Sequence, residues 1–261
     1  MKKIINLLTC ALTLTLLGGC NFNKYTYEDH QKYVSSSDFT LESRIDEIEV
    51  AWVNGNITIT QTETDKVSVK EENYGEYPLY YYLDGTTLKI QYVENGTSQN
   101  ELNNFEKDLY IVVPIDLENL ISVDFTMVNG NCSFLDESKY NEVDVNLVNG
   151  NVIFNQALAK DVEINMVNGN FTADAFVSDK LSLSKVNGDS IFNPIYNKTD
   201  IEISTVNGTY TLYILPSFGY SVDAETIGSF TSEYDNLKVY GTPVINIEYV
   251  GVNGNLIIKK A

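Results

Sequence analysis

The sequence predicts an all-β chain, wound as a single-stranded parallel β-solenoid, or β-helix, in repeats of about 19–20 residues. Three observations predict it. The tripeptide Val-Asn-Gly recurs seven times, at Asn54-Gly55, Asn129-Gly130, Asn149-Gly150, Asn168-Gly169, Asn187-Gly188, Asn207-Gly208 and Asn253-Gly254 with a valine before each. The five central copies are 20, 19, 19 and 20 residues apart, a solenoid period far below that of a propeller blade. Ahead of each copy apolar residues alternate with polar ones, as in Val143, Val145 and Leu147 or Val162, Ile164 and Met166, which is a strand period. No segment carries a helical period with caps.

Residues 1–19 read as a signal peptide. Lys2 and Lys3 supply a positive start, Ile4 to Leu17 an apolar stretch too short to span a bilayer comfortably. Leu17-Gly18-Gly19-Cys20 resembles the lipobox of bacterial lipoproteins, which implies cleavage before Cys20 and diacylation of its thiol. Two acyl chains suffice for stable anchoring. The expected location is the outer face of a bacterial cytoplasmic membrane, with the membrane itself as partner through Cys20. The alternative is an ordinary secreted protein in which Cys20 is incidental.

Acidic residues number 36 against 17 basic ones, for a formal net charge of −19. Nucleic acid is excluded as a partner by that balance, because phosphate neutralisation needs a basic face. Loss of Lys2 and Lys3 with the signal takes the charge from −19 to −21, so anionic headgroups repel the mature chain. Lipid, not charge, must hold it at the membrane. Cys10 leaves with the signal and Cys132 stands alone, so no intramolecular disulfide is available. Residues 20–40 show no sustained period and read as a lipidated tether. The domain then runs from 41 to 261, with irregular strands over 60–120, regular repeats over 121–215 and closing strands over 216–261.

Within the irregular part, Asp84-Gly85 marks a hairpin turn and Gln99 to Asn104 a loop. For the repeats an antiparallel meander or β-sandwich is the alternative, since Asn-Gly also favours type I′ hairpins. Identity of position over successive repeats favours parallel stacking instead. Asn amides in register can hydrogen-bond up and down a ladder.

The run Ile48 to Ile57, the segment Lys107-Asp108-Leu109-Tyr110-Ile111-Val112-Val113-Pro114, the tandem Val-Asn-Gly units and the closing Gly251-Val252-Asn253-Gly254 together resemble the DUF4097 family of adhesin-like proteins. The resemblance covers about residues 44 to 259. It implies a β-helix-like domain, often membrane-anchored on bacterial surfaces and sometimes encoded beside envelope-stress regulators. It brings no set of catalytic residues.

The side chains carry no catalytic constellation either. His30, the only histidine, lies in the expected tether, so no Ser-His or Cys-His pair is expected in the domain, nor a histidine metal site. Cys132 aligns with Val152 and Phe171 in an inward column and reads as a small core hydrophobe. Asp124, Asp144, Glu163 and Glu202 share one repeat column, either a solvated face or an acidic ladder able to bind cations or to act as the acid pair of a polysaccharide-cleaving β-helix. Tyr80, Tyr81 and Tyr82 read as packed on a sheet rather than stacked on sugars. No catalytic residue, metal or cofactor is expected. The function expected is adhesion, binding or structure at the envelope, with a polymer or surface protein as partner. Envelope-stress sensing and polysaccharide cleavage are the alternatives.

Overall fold

The computed structural model describes residues 24–261 apart from 103, 136, 235–237, 240 and 243. Cys20 and the expected signal lie outside the described residues. No helix among those described is long and apolar enough to cross a membrane.

The fold is all-β. Its unit is best seen in the chain's centre, where β9 (Ile121–Asn129), β11 (Lys139–Asn149) and β13 (Leu158–Asn168) run parallel on one side. β10 (Cys132–Leu135), β12 (Val152–Asn155) and the start of β14 (Phe171–Asn187) run parallel on the other. Each Val-Asn-Gly is therefore a corner between the two sides. The strands it joins pair with neighbouring coils, not with each other, so these turns are not hairpins.

Alternation of polar and apolar residues places one set inward on both sides. Val145, Leu147, Val152 and Phe154 are fully buried. Aromatic rings continue from coil to coil, Phe134 against Phe154 at 4.5 Å and Phe171 against Phe192 at 5.1 Å. Cys132 sits wholly inside, paired in register with Val152, and burial pushes its thiol far up from the usual range.

Two ladders hold the corner. Along the first, each Asn Nδ2 donates to the Oδ1 of the preceding copy: Asn129 to Asn54, Asn149 to Asn129, Asn168 to Asn149, Asn187 to Asn168, Asn207 to Asn187 and Asn253 to Asn207, over 2.6–3.2 Å. Along the second, Asn56, Asn131, Asn151 and Asn170 accept backbone N–H groups from the next coil. The glycine between the ladders is required twice over. At Gly169 φ is +138°, and a Cβ there would lie 1.5 Å from the carbonyl oxygen of Gly150. Gly130, Gly150, Gly188 and Gly208 face the preceding glycine in the same way.

The order of coils departs from the order of the chain at both ends. β3 (Glu47–Asn54) and β4 (Ile57–Thr62) lie inboard, between β9/β10 and an outer coil made by β7 (Thr87–Gln91) and β8 (Asp108–Pro114). β20 (Val244–Lys260) likewise inserts between β16 (Asp200–Ile214) and the pair β17 (Gly219–Thr226) and β18 (Ser229–Ser232). β15 (Ser190–Ile195) completes the second side between β14 and β16. The last Val-Asn-Gly copy thus does not close the stack. Insertion gives both edges of these strands a hydrogen-bonding partner.

The sheet is mixed, because antiparallel strands cover its ends. β5 (Val67–Glu72) pairs with β8, β6 (Tyr80–Asp84) forms the expected hairpin with β7, and β19 (Lys238–Val239) pairs with β17. The segment expected as a tether is instead docked from Lys24 onward. β1 (Val34–Ser35) adds to β6 and β2 (Asp38–Leu41) adds to β5. Phe39 stacks on Tyr81 at 3.7 Å. Free edges of β5 and β6 offered unpaired backbone groups, and strands of four and two residues without a visible period were enough to fill them. The expected loop after Gln99 contains one 3₁₀ turn, Gln99–Leu102.

Candidate binding face

The corner ladders fix register, and register aligns what points outward. Five residues before the corner asparagine, the outward positions of the first side pair in the order Glu49, Asp124, Asp144, Glu163, Ser182, Glu202 and Glu248, with Asp223 beyond them. Lys89 precedes Glu49 at the other end and forms an ion pair with it at 2.9 Å. The sequence-predicted set Asp124, Asp144, Glu163 and Glu202 is therefore brought together as expected. Glu49, Glu248 and Asp223 join it. The first two could have been found by counting five residues back from Asn54 and Asn253; Asp223 follows no Val-Asn-Gly copy and left no such signal.

Strand neighbours lie about 4.8 Å apart, so like charges in this column repel. The side chains respond where they are half-buried. Burial, with Asp124, Glu163 and Glu142 around it, pushes Asp144 up to about 7, although Asn146 Nδ2 donates to its Oδ1 at 3.0 Å. Asp124 is also raised, by burial first and then by Glu49, Glu47 and Glu142. Asn165 donates to Glu163 at 3.1 Å and to Asn146 at 3.2 Å, so a polar column runs beside the acidic one. Chemically the face can attract cations or hold a proton on Asp144 near neutrality.

The second side differs. Its outward column reads Tyr110, Thr58, Ser133, Ile153, Thr172, Ile191, Thr211, Ile257 and Thr231, without a charge. The central outward columns of the two sides therefore differ in charge.

The other candidates are structural. Tyr80, Tyr81 and Tyr82 lie in β6, with Tyr81 under Phe39. His30 is exposed in a one-turn 3₁₀ helix, His30–Lys32. Among the described residues no group of three or more His, Cys, Asp or Glu side chains is placed to hold a metal ion. Two buried lysines gave no sequence signal. Lys107 Nζ pairs with Glu71 at 2.8 Å and lies 4.7 Å from the Tyr92 ring centroid, closing one end of the core. Lys185 takes the inward position of Met166, donates to Ser190 Oγ at 2.7 Å and to the Asp189 carbonyl, and is lowered to about 7 by burial. Lysine beside serine can form a nucleophilic pair, but both are fully buried and no substrate could reach them.

A solved structure shares this fold. A Bacteroides fragilis "putative adhesin" aligns with 87% of this chain and 97% of its own, at 14% identity and a TM-score of 0.55. A Clostridium sporogenes "putative cell adhesion protein" covers 86% of this chain and 99% of its own at 14% identity, with a TM-score of 0.36. Among curated proteins none matches. The family described as Toastrack DUF4097 matches residues 45–212, more than half the chain. The chain belongs to that family.

Proposed function

We propose that the chain is a lipid-anchored, non-catalytic β-solenoid that binds an envelope polymer or surface protein on the outer side of a bacterial cytoplasmic membrane. The observation that carries the reading is the acidic column. It runs from Glu49 to Asp223 along eight parallel strands, or seven steps of about 4.8 Å each, giving a face of about 34 Å. A repeating surface of that length suits an extended partner, and its charge favours one carrying cationic groups. The adhesin names among structural neighbours support a binding role, and the lipobox resemblance around Cys20 supports the anchor.

The test is a binding screen of envelope polymers against the purified chain, with products followed by mass spectrometry. Retention without cleavage supports the reading, and no retention on any polymer or surface-protein fraction refutes it. For the anchor, Cys20→Ala should release the chain from membranes and abolish acyl labelling. Persistence of the label would place the lipid elsewhere.

One observation favours a second reading. Asp144, raised to about 7, has the protonation expected of a general acid beside the carboxylate of Glu163. That reading predicts polymer cleavage lost in Asp144→Asn and Glu163→Gln; intact polymer after prolonged incubation with the unaltered chain eliminates it.

A further inference from the structure

We propose that the stack stands upright on the bilayer, its β7 end against the lipid, its β17 end outermost and the acidic face running normal to the membrane. Such mounting rests on the Cys20 anchor reading and adds which surface meets the lipid. The observation that carries it is the docking of the segment expected as a tether. From Lys24 onward the chain is held. Lys24 bridges to Ser98, Tyr25 N–H donates to the Thr97 carbonyl at 2.9 Å, Gly96 N–H donates to the Tyr25 carbonyl at 2.7 Å, and Tyr27 N–H donates to Asn95 Oδ1 at 2.9 Å. β1 and β2 continue the attachment on β6 and β5.

Covalent reach then limits the distance to the lipid. Cys20 precedes Lys24 by four residues, and a chain spans at most about 3.6 Å per residue, so the acylated cysteine lies within about 14 Å of Lys24. A flexible segment of about twenty residues would instead have a root-mean-square length of about 25 Å and no preferred direction. Residues 94–98, which hold Lys24 and Tyr25, follow β7 in the coil at one end of the stack. From β7 to β17 the coils take eight steps of about 4.8 Å, about 38 Å in all. Two arrangements satisfy so short a link at one end of so long a stack: end-on, or lying along the bilayer.

Charge selects the first. The chain without its signal carries −21, and exposed carboxylates such as Glu163, Asp174, Asp223 and Glu225 continue it to the far end. Lying flat would bring all of these into the field of anionic headgroups. That field falls off within a Debye length, about 8 Å at physiological salt, so an upright stack keeps all but its first coils outside it. At the β7 end several carboxylates already have a cation, Asp29 with Lys32, Glu42 with Lys66, Asp46 with Arg44 and Glu72 with Lys70, which weakens repulsion where the lipid is nearest. A partner on the acidic face would then meet Glu49 closest to the membrane and Asp223 farthest from it.

The test uses the full lipidated chain in phosphatidylcholine vesicles containing phosphatidylglycerol, at physiological salt. A fluorophore is placed on Asn100→Cys or on Ile227→Cys, both exposed, while the buried Cys132 stays unlabelled. Energy transfer to a headgroup dye should place the Asn100 label nearer the bilayer by about 38 Å. Equal heights, or an Ile227 label nearer the lipid, would overturn the upright mounting. Twenty Gly-Ser residues inserted after Asn23 should lift the Asn100 label by about 25 Å. An unmoved label would also overturn it, by showing that another surface holds the domain down. Failure of the unaltered chain to float with the vesicles would refute the anchor itself and the mounting with it, an outcome distinct from the wrong heights in a chain that floats.

Discussion

Replacing Gly169 with alanine separates stacking from turn chemistry. If Val-Asn-Gly were only a turn, the cost would be that of forcing an L residue to positive φ, about 1–2 kcal/mol. The structure adds a second cost. A Cβ at Gly169 would overlap the Gly150 carbonyl oxygen at 1.5 Å, so the two coils must part by more than 1 Å. Parting weakens the Gly150 N–H bond to Asn168 O at 3.0 Å and the Asn168–Asn149 amide bond at 2.9 Å. At about 0.5–1.5 kcal/mol each, these two contribute about 1–3 kcal/mol. The expected total is about 2–5 kcal/mol, a large share of the 5–15 kcal/mol typical of a whole domain. Gly85→Ala is the internal comparison, because Gly85 has φ +64° and nothing within 4 Å of a Cβ. It should cost only about 1 kcal/mol. Urea denaturation of both variants gives the answer. Equal destabilisation would refute close stacking as the reason for glycine at the corner.

Three further outcomes are expected. Asn168→Ala removes two ladder bonds of 2.9 Å and should cost about 1–2 kcal/mol in the same denaturation assay. Lys185→Met tests the buried lysine: its folded pKa lies below the unfolded value, so the unfolded chain binds the extra proton and stability rises with pH from about 7 toward 10. The variant lacks that dependence, so relative to the unaltered chain it should gain about 2–3 kcal/mol between pH 9 and pH 6. A pH-independent difference would show that Lys185 stays protonated in the folded chain over this range. Asp144 has the opposite sign, its folded pKa being raised above that of the unfolded chain. The native state therefore loses stability as pH rises from about 4 to 7. Asp144→Asn should stabilise at pH 7 by about 1 kcal/mol, after allowance for solvent screening, and by little at pH 4. Thermal melts at the two pH values would check it.

Local pattern made much of this legible. Alternating burial in the strands before each corner follows from Val143, Val145 and Leu147 and their equivalents, and the inward place of Cys132 from its alignment with Val152. The acidic column was visible through Asp124, Asp144, Glu163 and Glu202 because one period carries each to the same place. Lys185 was hidden for the opposite reason. A lysine in the column of Met127, Leu147 and Met166 breaks the pattern, and only the contacts with Ser190 and the Asp189 carbonyl explain its burial. The docking of residues 24–41 was likewise hidden, since a two-residue strand such as Val34–Ser35 has no period to detect.

The sequence by itself determined the all-β class, the period of the coil, the corner residues and the inward and outward sets, because each is set by spacing along the chain. Tertiary structure alone decided the order of the coils. The pairing of β3 with β9 spans 75 residues from Asn54 to Asn129, and insertion of β20 beside β16 spans 46 from Asn207 to Asn253. Any copy of the repeat offers the same ladder to any other, so the repeat cannot say which copies become neighbours. In the order adopted, the irregular segments supply the end-covering strands and the buried Lys107–Glu71 pair, and residues 27–33 border a cavity beside Asp124.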